Sequence, residues 1–219
     1  MILPSVLLAA AITGAPFPEP GTYRYSASLS GQNIGVWSVS VKPDGADTEV
    51  DENSSAALAG MSVSATASLV LGPDLAPTRY EGSYRTAGQS PSVTVSLTPV
   101  SAMVVGSATG PPRSLPLAAN TRHFVVIEPL LVAGLFAFPA QLAAWKDSSV
   151  TWVAPMTAEA QAVNVTPAQM QMRPAGAPAQ DAGIAVTGPI PVSIWYDATT
   201  LVPDVIVVPS QNAVLTRIR

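Results

Sequence analysis

Apolar and polar residues alternate at every second position along most of this chain. The clearest case is residues 61–71, where Met, Val, Ala and Leu take the odd positions and Ser and Thr fill most of the even ones. Successive side chains of a strand point to opposite faces, so this pattern predicts a strand with one buried and one solvated face. Residues 22–30 and 37–42 repeat the pattern on either side of Gly31-Gln32-Asn33, which predicts a β-hairpin.

The same alternation predicts about a dozen strands, separated by short turns rich in Gly, Pro, Asp and Asn. They lie at residues 22–30, 37–42, 48–58, 61–71, 79–85, 92–97, 101–107, 123–128, 150–153, 161–166, 192–196, 205–208 and 213–218. Residues 169–172 alternate Gln and Met with the period of a strand. Residues 110–119 and 173–183 are rich in Pro, Ala and Gly, and we expect loops there, the second of them loose.

One segment, residues 128–145 (EPLLVAGLFAFPAQLAAW), has helical periodicity instead. Its large apolar residues recur at spacings of three and four, which places them on one stripe of a helix. The stripe consists of Leu131, Leu135, Phe138, Leu142 and Trp145. Burial of such side chains contributes about 1.5–3 kcal/mol each before the loss of conformational entropy. We therefore expect this helix in the core, covered by the sheet.

Two features of the helical segment leave alternatives open. Pro139 removes a backbone hydrogen bond and clashes with the carbonyl of Leu135, so we expect a kink or two short helices. The apolar run at residues 129–145 is shorter than the about 20 residues that span a bilayer. Glu128 and Lys146 bound the run. A membrane-inserted helix is nevertheless the alternative to a buried one.

The order of the predicted elements indicates the fold class. Strands that follow one another through short turns pair as antiparallel neighbours, and no segment shows the strand–helix–strand rhythm of a parallel sheet. A single sheet of this many strands has to curl or close. We therefore expect a mainly β fold, in which a long curved antiparallel sheet, an unclosed barrel, wraps around a short, Pro-kinked central helix. Residues 22–219 form one β-rich domain in this interpretation, with a split near residues 110–120 as the alternative.

The first 21 residues differ from the rest. Residues 2–12, ILPSVLLAAAI, are an apolar run followed by small residues and the Pro-rich PFPEP. This arrangement is typical of a secretory signal peptide. We therefore interpret residues 1–21 as a signal peptide with a Pro-rich lead-in, and the protein as exported to the periplasm or the outside of the cell. No Lys or Arg precedes the run, and a membrane anchor or a buried N-terminal segment is the alternative.

Composition narrows the classes of function. The chain has 219 residues, of which 48% are hydrophobic and only 11% are charged, so Ser, Thr and Gln supply much of its polar surface. The ten Lys and Arg are scattered, which excludes the basic patch of a nucleic-acid-binding surface. The absence of cysteine excludes disulfides, thiol catalysis and thiolate metal sites.

Few residues are candidates for chemistry. His123 is the only histidine, so any Ser-His-Asp mechanism would have to use it, and no G-x-S-x-G motif accompanies it. The acidic residues between positions 44 and 52 offer oxygen ligands that calcium prefers, but carboxylates along a strand are more typical of a solvated face. We expect no cofactor, no metal and no catalytic residue. A hydrolase with a pair of carboxylates is the remaining catalytic alternative.

Both ends of the chain resemble uncharacterised exported bacterial β-rich domain families. The opening TYRYSASLSGQNIGVWSVSVKPDG is similar to their first hairpin, and PVSIWYDATTLVPDVIVVPSQNAVLTRI is similar to their closing hairpins. Those families in turn resemble the lipoprotein carriers of the LolA and LolB type. The resemblance implies an unclosed antiparallel barrel over short helices that can shelter acyl chains, and it brings no catalytic residue with it.

Aromatic residues provide the candidate ligand site. If the strand aromatics share the concave face of the sheet with the helix phenylalanines, they can line a pocket for a lipid-like ligand. Simple packing against the helix is the alternative. The candidates are Tyr23, Tyr25, Trp37, Tyr80, Tyr84, Phe136, Phe138, Trp152 and Trp195.

The sequence thus favours an exported, non-catalytic protein that binds a lipid or another apolar ligand between sheet and helix. The alternative is a structural or protein-interaction module of the cell envelope, which would contact a partner protein through an exposed sheet edge.

Overall fold

The computed structural model describes residues 16–58, 60–107, 109–128, 131–188 and 190–219. Within these ranges the chain forms one fifteen-stranded sheet and one α-helix. The strands are β1 (Gly21–Leu29), β2 (Gln32–Asp44), β3 (Asp47–Leu58), β4 (Met61–Leu71), β5 (Pro77–Arg85), β6 (Ser92–Leu97), β7 (Ser101–Gly106), β8 (Gly110–Pro116), β9 (Phe124–Val126), β10 (Ser149–Ala154), β11 (Glu159–Pro167), β12 (Ala182–Thr187), β13 (Val192–Tyr196), β14 (Pro203–Val208) and β15 (Ala213–Ile218). The helix is α1 (Ala133–Trp145). The fold is therefore mainly β, as the alternating pattern predicts.

The sheet follows the chain order except at one place. From the edge strand β8 the order runs strand by strand to β1. The exception is β15, which pairs next to β1, and from β15 the order runs strand by strand to β9 at the other edge. The predicted antiparallel pairing is confirmed for the described ladders except β9–β10, which is parallel. We expected no strand–helix–strand unit, and this is wrong for β9, α1 and β10. The helix α1 is the crossover connection that lets β9 and β10 lie side by side and run in the same direction.

The sheet curls until its two ends meet without closing. β9 lies against β5 and β8 lies against β11, although in the described ranges no ladder joins the two edge strands. The segment between β8 and β9 crosses this seam and is tied to β10. The Ala118 N–H donates to Thr151 Oγ1 at 3.0 Å, and Thr121 Oγ1 lies 2.5 Å from the same oxygen. The result is the unclosed barrel that the sequence predicts.

Three predictions of local structure are wrong. The predicted loop after residue 110 begins with β8, whose three prolines are tolerated because an edge strand does not need every N–H donor. The Gln–Met alternation at 169–172 is not a strand, since residues 170–172 form one turn of 3₁₀-helix. The predicted loose loop at 173–183 ends in β12, a strand that the alternation did not indicate.

The helix α1 runs through the inside of the curled sheet. Residues 133–141 are all buried, so a larger part of the helix surface is covered than the single stripe that the sequence predicts. Phe136 and Ala137 lie off the stripe and are fully buried. The helix is continuous through Pro139, which makes the alternative of two short helices wrong. Among the described residues no helix is long and apolar enough to cross a membrane.

A glycine lets α1 approach β9. A Cβ at Gly134 would collide with the carbonyl oxygen of Val126, so only glycine permits this helix–strand distance. Phe124–Val126 are buried as well, which explains why this segment reads as a continuous apolar run rather than an alternation.

The C-terminal end of α1 is held by the loop between β4 and β5. Gln141 Nε2 donates to Leu75 O at 3.0 Å, and Trp145 Nε1 donates to Asp74 O at 2.7 Å. Leu75 also packs with Ala140 and Leu201 in a small apolar cluster. This end of the barrel is therefore filled by the helix and two loops.

Candidate ligand-binding site

The opposite end of the barrel contains an apolar cavity. The turns between β1 and β2, β3 and β4, β5 and β6, and β14 and β15 surround it, because the antiparallel topology brings them to one end. The Ser30 N–H donates to Asn212 O at 2.9 Å and joins two of these turns. Val132, the residue directly before α1, forms the floor. The cavity thus lies beyond the N-terminus of the helix.

Small side chains create this space of about 200 Å³. Four inward positions near the ends of their strands carry alanine: Ala27, Ala56, Ala65 and Ala213. Larger apolar side chains complete the wall: Leu29, Ile34, Trp37, Val63, Tyr84, Val132 and Leu215. Alanines carry no distinctive signal in a sequence, which is why sequence reasoning missed them.

The lining contains no charged side chain among the described residues. Its polar groups are the side chains of Ser28, Ser54 and Gln211 and the polar tips of two aromatic rings, the Tyr84 phenol and the Trp37 indole N–H. Ser28 Oγ donates to Val214 O at 3.4 Å and Ser54 Oγ donates to Ala65 O at 3.3 Å, so the sheet uses both hydroxyl protons. A cavity of this kind favours an apolar ligand, since a charged group would lie there without a partner.

The size of the cavity restricts the ligand further. An aliphatic cavity of about 150 Å³ takes up benzene, and pockets for drug-sized ligands begin at about 300 Å³. A space of about 200 Å³ therefore fits one small ring or the end of one acyl chain. Ile34, Val63 and Ala213 in the wall are only half-buried, which leaves the cavity open to solvent at the end of the barrel.

A buried carboxyl group holds the floor of the cavity. Glu52 on β3 is 3% exposed, and its Oε2 accepts hydrogen bonds from the N–H groups of Val132 and, at 2.8 Å, of Ala133. The first turn of a helix leaves these donors without intrahelical partners, and no side chain near the start of α1 caps them. Burial raises the pKa of Glu52 to about 8, although the two N–H donors pull it down. Glu52 is therefore largely protonated at neutral pH.

The position of Glu52 corrects the expectation that the acidic residues between 44 and 52 lie on a solvated face. Val50, Glu52, Ser54 and Ala56 are all buried and share the inward face of β3. Period-two alternation could have placed Glu52 inside, but its charge argued against that position. In the described ranges no group of three or more His, Asp or Glu could hold a metal ion.

Two more polar groups lie near Glu52 inside the barrel. The pKa of the Tyr80 phenol lies well above its ordinary value. The main cause is burial, and the nearby carboxyls of Glu52 and Glu128 add to it. Glu128 Oε2 accepts a hydrogen bond from Met156 N at 3.1 Å, and burial raises its pKa to about 7. Glu52 Oε1 and Tyr80 Oη have no hydrogen-bond partner within the described part of the chain. A cluster of buried acids thus lies inside the barrel, and one of them holds the cavity floor.

The nine aromatic residues predicted from the sequence lie in four places, with Tyr23 half-buried at the margin of the core. Trp37 and Tyr84 line the cavity. Five others are buried in the core, outside the cavity lining: Tyr25, Tyr80, Phe136, Phe138 and Trp152. Tyr25 Oη donates to Pro203 O and Trp152 Nε1 donates to Ile127 O, both at 2.8 Å, as buried aromatics with a polar tip require. The ring of Tyr23 lies 5.0 Å from that of Phe136, and its Oη donates to Glu19 O.

Trp195, the ninth, lies on the other face of the sheet. Ile194 and Tyr196 pack inside, so the alternation of β13 turns Trp195 outward. The guanidinium of Arg173 lies 4.7 Å from its ring centroid, and Arg173 Nη2 donates to Asp181 O at 3.0 Å. We call residues 168–181 the outer cover. We expected Trp195 to lie on the concave face of the sheet with the other aromatic residues, and this is wrong. The segment predicted as a loose loop is also packed, because it lies over the Trp195 ring.

His123 is engaged in local contacts just before β9. Its Nδ1 lies 2.6 Å from Asp147 Oδ2, and its ring stacks on Trp145 with centroids 4.3 Å apart. These contacts join the chain ahead of β9 to the chain that follows α1. The pair therefore ties together the two ends of the strand–helix–strand unit.

Comparison with known proteins supports the fold alone. No protein-family model matches the chain, and no curated protein matches it. Among solved structures, the chain is similar to the crystal structure of a β-barrel-like protein of the domain of unknown function DUF1849 from Brucella abortus. The TM-score is 0.56 and the sequence identity 9%, over 94% of this chain and 98% of that chain. The coarser part of the resemblance found in the sequence, to uncharacterised bacterial β-rich proteins, is thereby confirmed.

Proposed function

We propose that this protein is an exported, non-catalytic binding protein that takes the end of a lipid chain, or another small apolar group, into the cavity at the open end of its barrel. The observation that carries the proposal is an uncharged, mostly apolar wall that stays open to solvent. An apolar ligand that displaces water from such a wall gains free energy in proportion to the apolar area it covers.

The packing of α1 changes where the ligand is expected. Residues 133–141 are buried, so side chains fill the space between this part of the helix and the sheet. The proposal therefore places the ligand beyond the N-terminus of α1, above Val132, and not alongside the helix. In this arrangement the helix and Glu52 form a fixed base for the cavity.

Two sequence features support the wider proposal. The likeness to LolA and LolB carriers supports a lipid-chain ligand, because those carriers shelter acyl chains inside an unclosed barrel. The signal peptide proposed for residues 1–21 supports export, and its residues 1–15 lie outside the described residues. The lining offers no charged acid or base among the described residues, which supports a non-catalytic role.

Binding of toluene, followed through the methyl NMR signals of Val63, Val132 and Leu215, tests the proposal. Toluene should shift these signals in a saturable way. Val63→Phe fills the mouth and should weaken binding by about fivefold or more, since overpacking a small apolar space costs about 1–3 kcal/mol. Ser64→Phe is the matched control, because adjacent side chains of β4 point to opposite faces. Failure of toluene to shift the cavity methyls, or equal losses in both variants, would refute the proposal.

Exposed apolar side chains on the outside favour the envelope interaction module as a second candidate. Met103 and Val105 are 42% and 46% exposed on the outer face of β7, and Val100 just before them is 69% exposed. A photo-crosslinking amino acid at position 103 should then capture one envelope protein that the same probe at Thr66, on the outer face of β4, does not capture. Identical products from both positions would remove this candidate.

A further inference from the structure

Charged residues are divided unevenly between the two ends of the barrel. The mouth end, where the cavity opens, consists of the connections β1–β2, β3–β4, β5–β6, β7–β8, β9–α1, β10–β11, β12–β13 and β14–β15, and the other connections make up the far end. Counted with the strand residue on either side, every connection of the far end except β6–β7 carries a charged residue, for example Asp74 and Arg122. At the mouth end only three connections do, and their charged residues are Arg85, Glu128 and Glu159. Glu128 is buried, so the surface of the mouth end carries one charge of each sign.

The mouth end also exposes apolar side chains around the cavity. Met61, the first residue of β4, is 52% exposed, and Ile34 and Val63 in the cavity wall are half-buried. Ala87, in the β5–β6 turn, is exposed as well. A surface with few charges can approach a bilayer without removing water from ions, and its apolar side chains gain free energy when they leave water. The mouth end therefore has the chemistry of a surface that faces a bilayer, whereas the far end does not.

The position of the cavity favours a bilayer over a partner protein as the occupant of this surface. An acyl chain that reached the cavity through water would expose its apolar surface on the way, which is unfavourable. A bilayer is both the source of acyl chains and an apolar phase. One contact at the mouth end would therefore supply the ligand and cover the exposed apolar side chains.

We propose that the mouth end docks on the surface of a lipid bilayer, and that the end of an acyl chain passes there between the bilayer and the cavity. The proposal rests on the proposed function and names the source of its ligand. The apolar side chains drive the docking, because Arg85 and Glu159 leave the mouth end without a net charge and the whole chain carries −4. Anionic lipid attracts clusters of Lys and Arg, so this protein should not need it.

Single introduced cysteines can report the docking, because the chain contains no cysteine of its own. Each cysteine carries the fluorophore NBD, whose emission shifts to shorter wavelength when it leaves water. Labels at Met61→Cys and Ala87→Cys should show a saturable shift when vesicles of uncharged phosphatidylcholine are added. Met172→Cys is the matched control, because Met172 is 66% exposed but lies on the outer cover, in the β11–β12 connection of the far end. Its emission should stay unchanged.

Two aspartate variants measure how much the apolar side chains contribute. The label is kept at Ala87→Cys, and the lipid concentration that gives half of the shift is compared. This concentration should rise about fivefold or more in Met61→Asp, because the apolar surface of Met61 is lost and an ionised carboxylate has to lose water at the bilayer. Met172→Asp should leave the concentration unchanged.

The outcomes separate the docking from the proposed function. If the labels at positions 61 and 87 do not respond to vesicles while toluene still shifts the cavity methyls, the docking is refuted and the proposed function stands. Equal shifts at positions 61 and 172, equal losses in the two aspartate variants, or binding only to vesicles that contain anionic phosphatidylglycerol would refute the docking as well. If the mouth-end labels respond but toluene does not bind, the docking is supported, and the passage of an acyl chain fails together with the proposed function.

Discussion

Replacing Glu52 with glutamine should change how the stability of the protein depends on pH. Burial raises the pKa of Glu52 from an ordinary 4.5 to about 8, whereas the unfolded chain keeps the ordinary value. Since the folded state binds this proton more tightly, the stabilisation is complete below pH 4.5 and is lost as pH rises through 8. The difference between the two values corresponds to about 4–5 kcal/mol at about 1.36 kcal/mol per pH unit.

Most of the measurable change falls near neutral pH. Between pH 6 and pH 8 the wild type should lose about 2 kcal/mol through Glu52. That is roughly 4–8 °C in Tm for a chain of this size. Glu52→Gln retains an oxygen acceptor for the N–H groups of Val132 and Ala133 but has no proton to release, so its Tm should fall less. Glu128, whose pKa burial raises to about 7, changes stability in the same direction and leaves a residual slope in the variant.

Thermal unfolding by circular dichroism from pH 5 to pH 9, at constant ionic strength, measures this effect. Glu81→Gln is the matched control, because Glu81 is exposed on β5 and should keep the wild-type slope. Equal slopes for the wild type and Glu52→Gln would refute the reasoning. A wild-type Tm that rises between pH 6 and pH 8 would refute the sign as well.

Three further variants test the packing of the fold. Gly134→Ala should lower the urea unfolding free energy by about 3 kcal/mol or more, because its methyl collides with the backbone of β9, whereas Gly72→Ala, which has room for a Cβ, should cost less than about 1 kcal/mol. Thr151→Val removes the acceptor of the Ala118 N–H, so it should cost about 1–3 kcal/mol and speed hydrogen exchange at that amide. Arg173→Ala should speed proteolytic cleavage within the outer cover without changing the unfolding of the barrel. Equal costs at the two glycines, unchanged exchange at Ala118 or unchanged cleavage would contradict the corresponding argument.

Part of the candidate site could be predicted from the sequence. The alternation places Trp37 and Tyr84 on strands, and both line the cavity. It did not separate them from Tyr25 and Tyr80, which pack as core, because aromatic residues on inward positions look alike until the depth of each along the barrel is known. Gln211 and the cavity alanines gave no signal of their own.

The sequence by itself determined the fold class, because the period of two and the single helical segment depend only on which residues avoid water. It also favoured a buried helix over a membrane-inserted one, because the apolar run is too short to span a bilayer and needs a cover. Only the tertiary structure decided that Glu52 turns inward to bind the start of α1, that β9 and β10 pair in parallel, and that a space remains beyond the helix. Those features depend on the curl of the sheet, which brings together side chains far apart in the chain, and no local pattern encodes those distances.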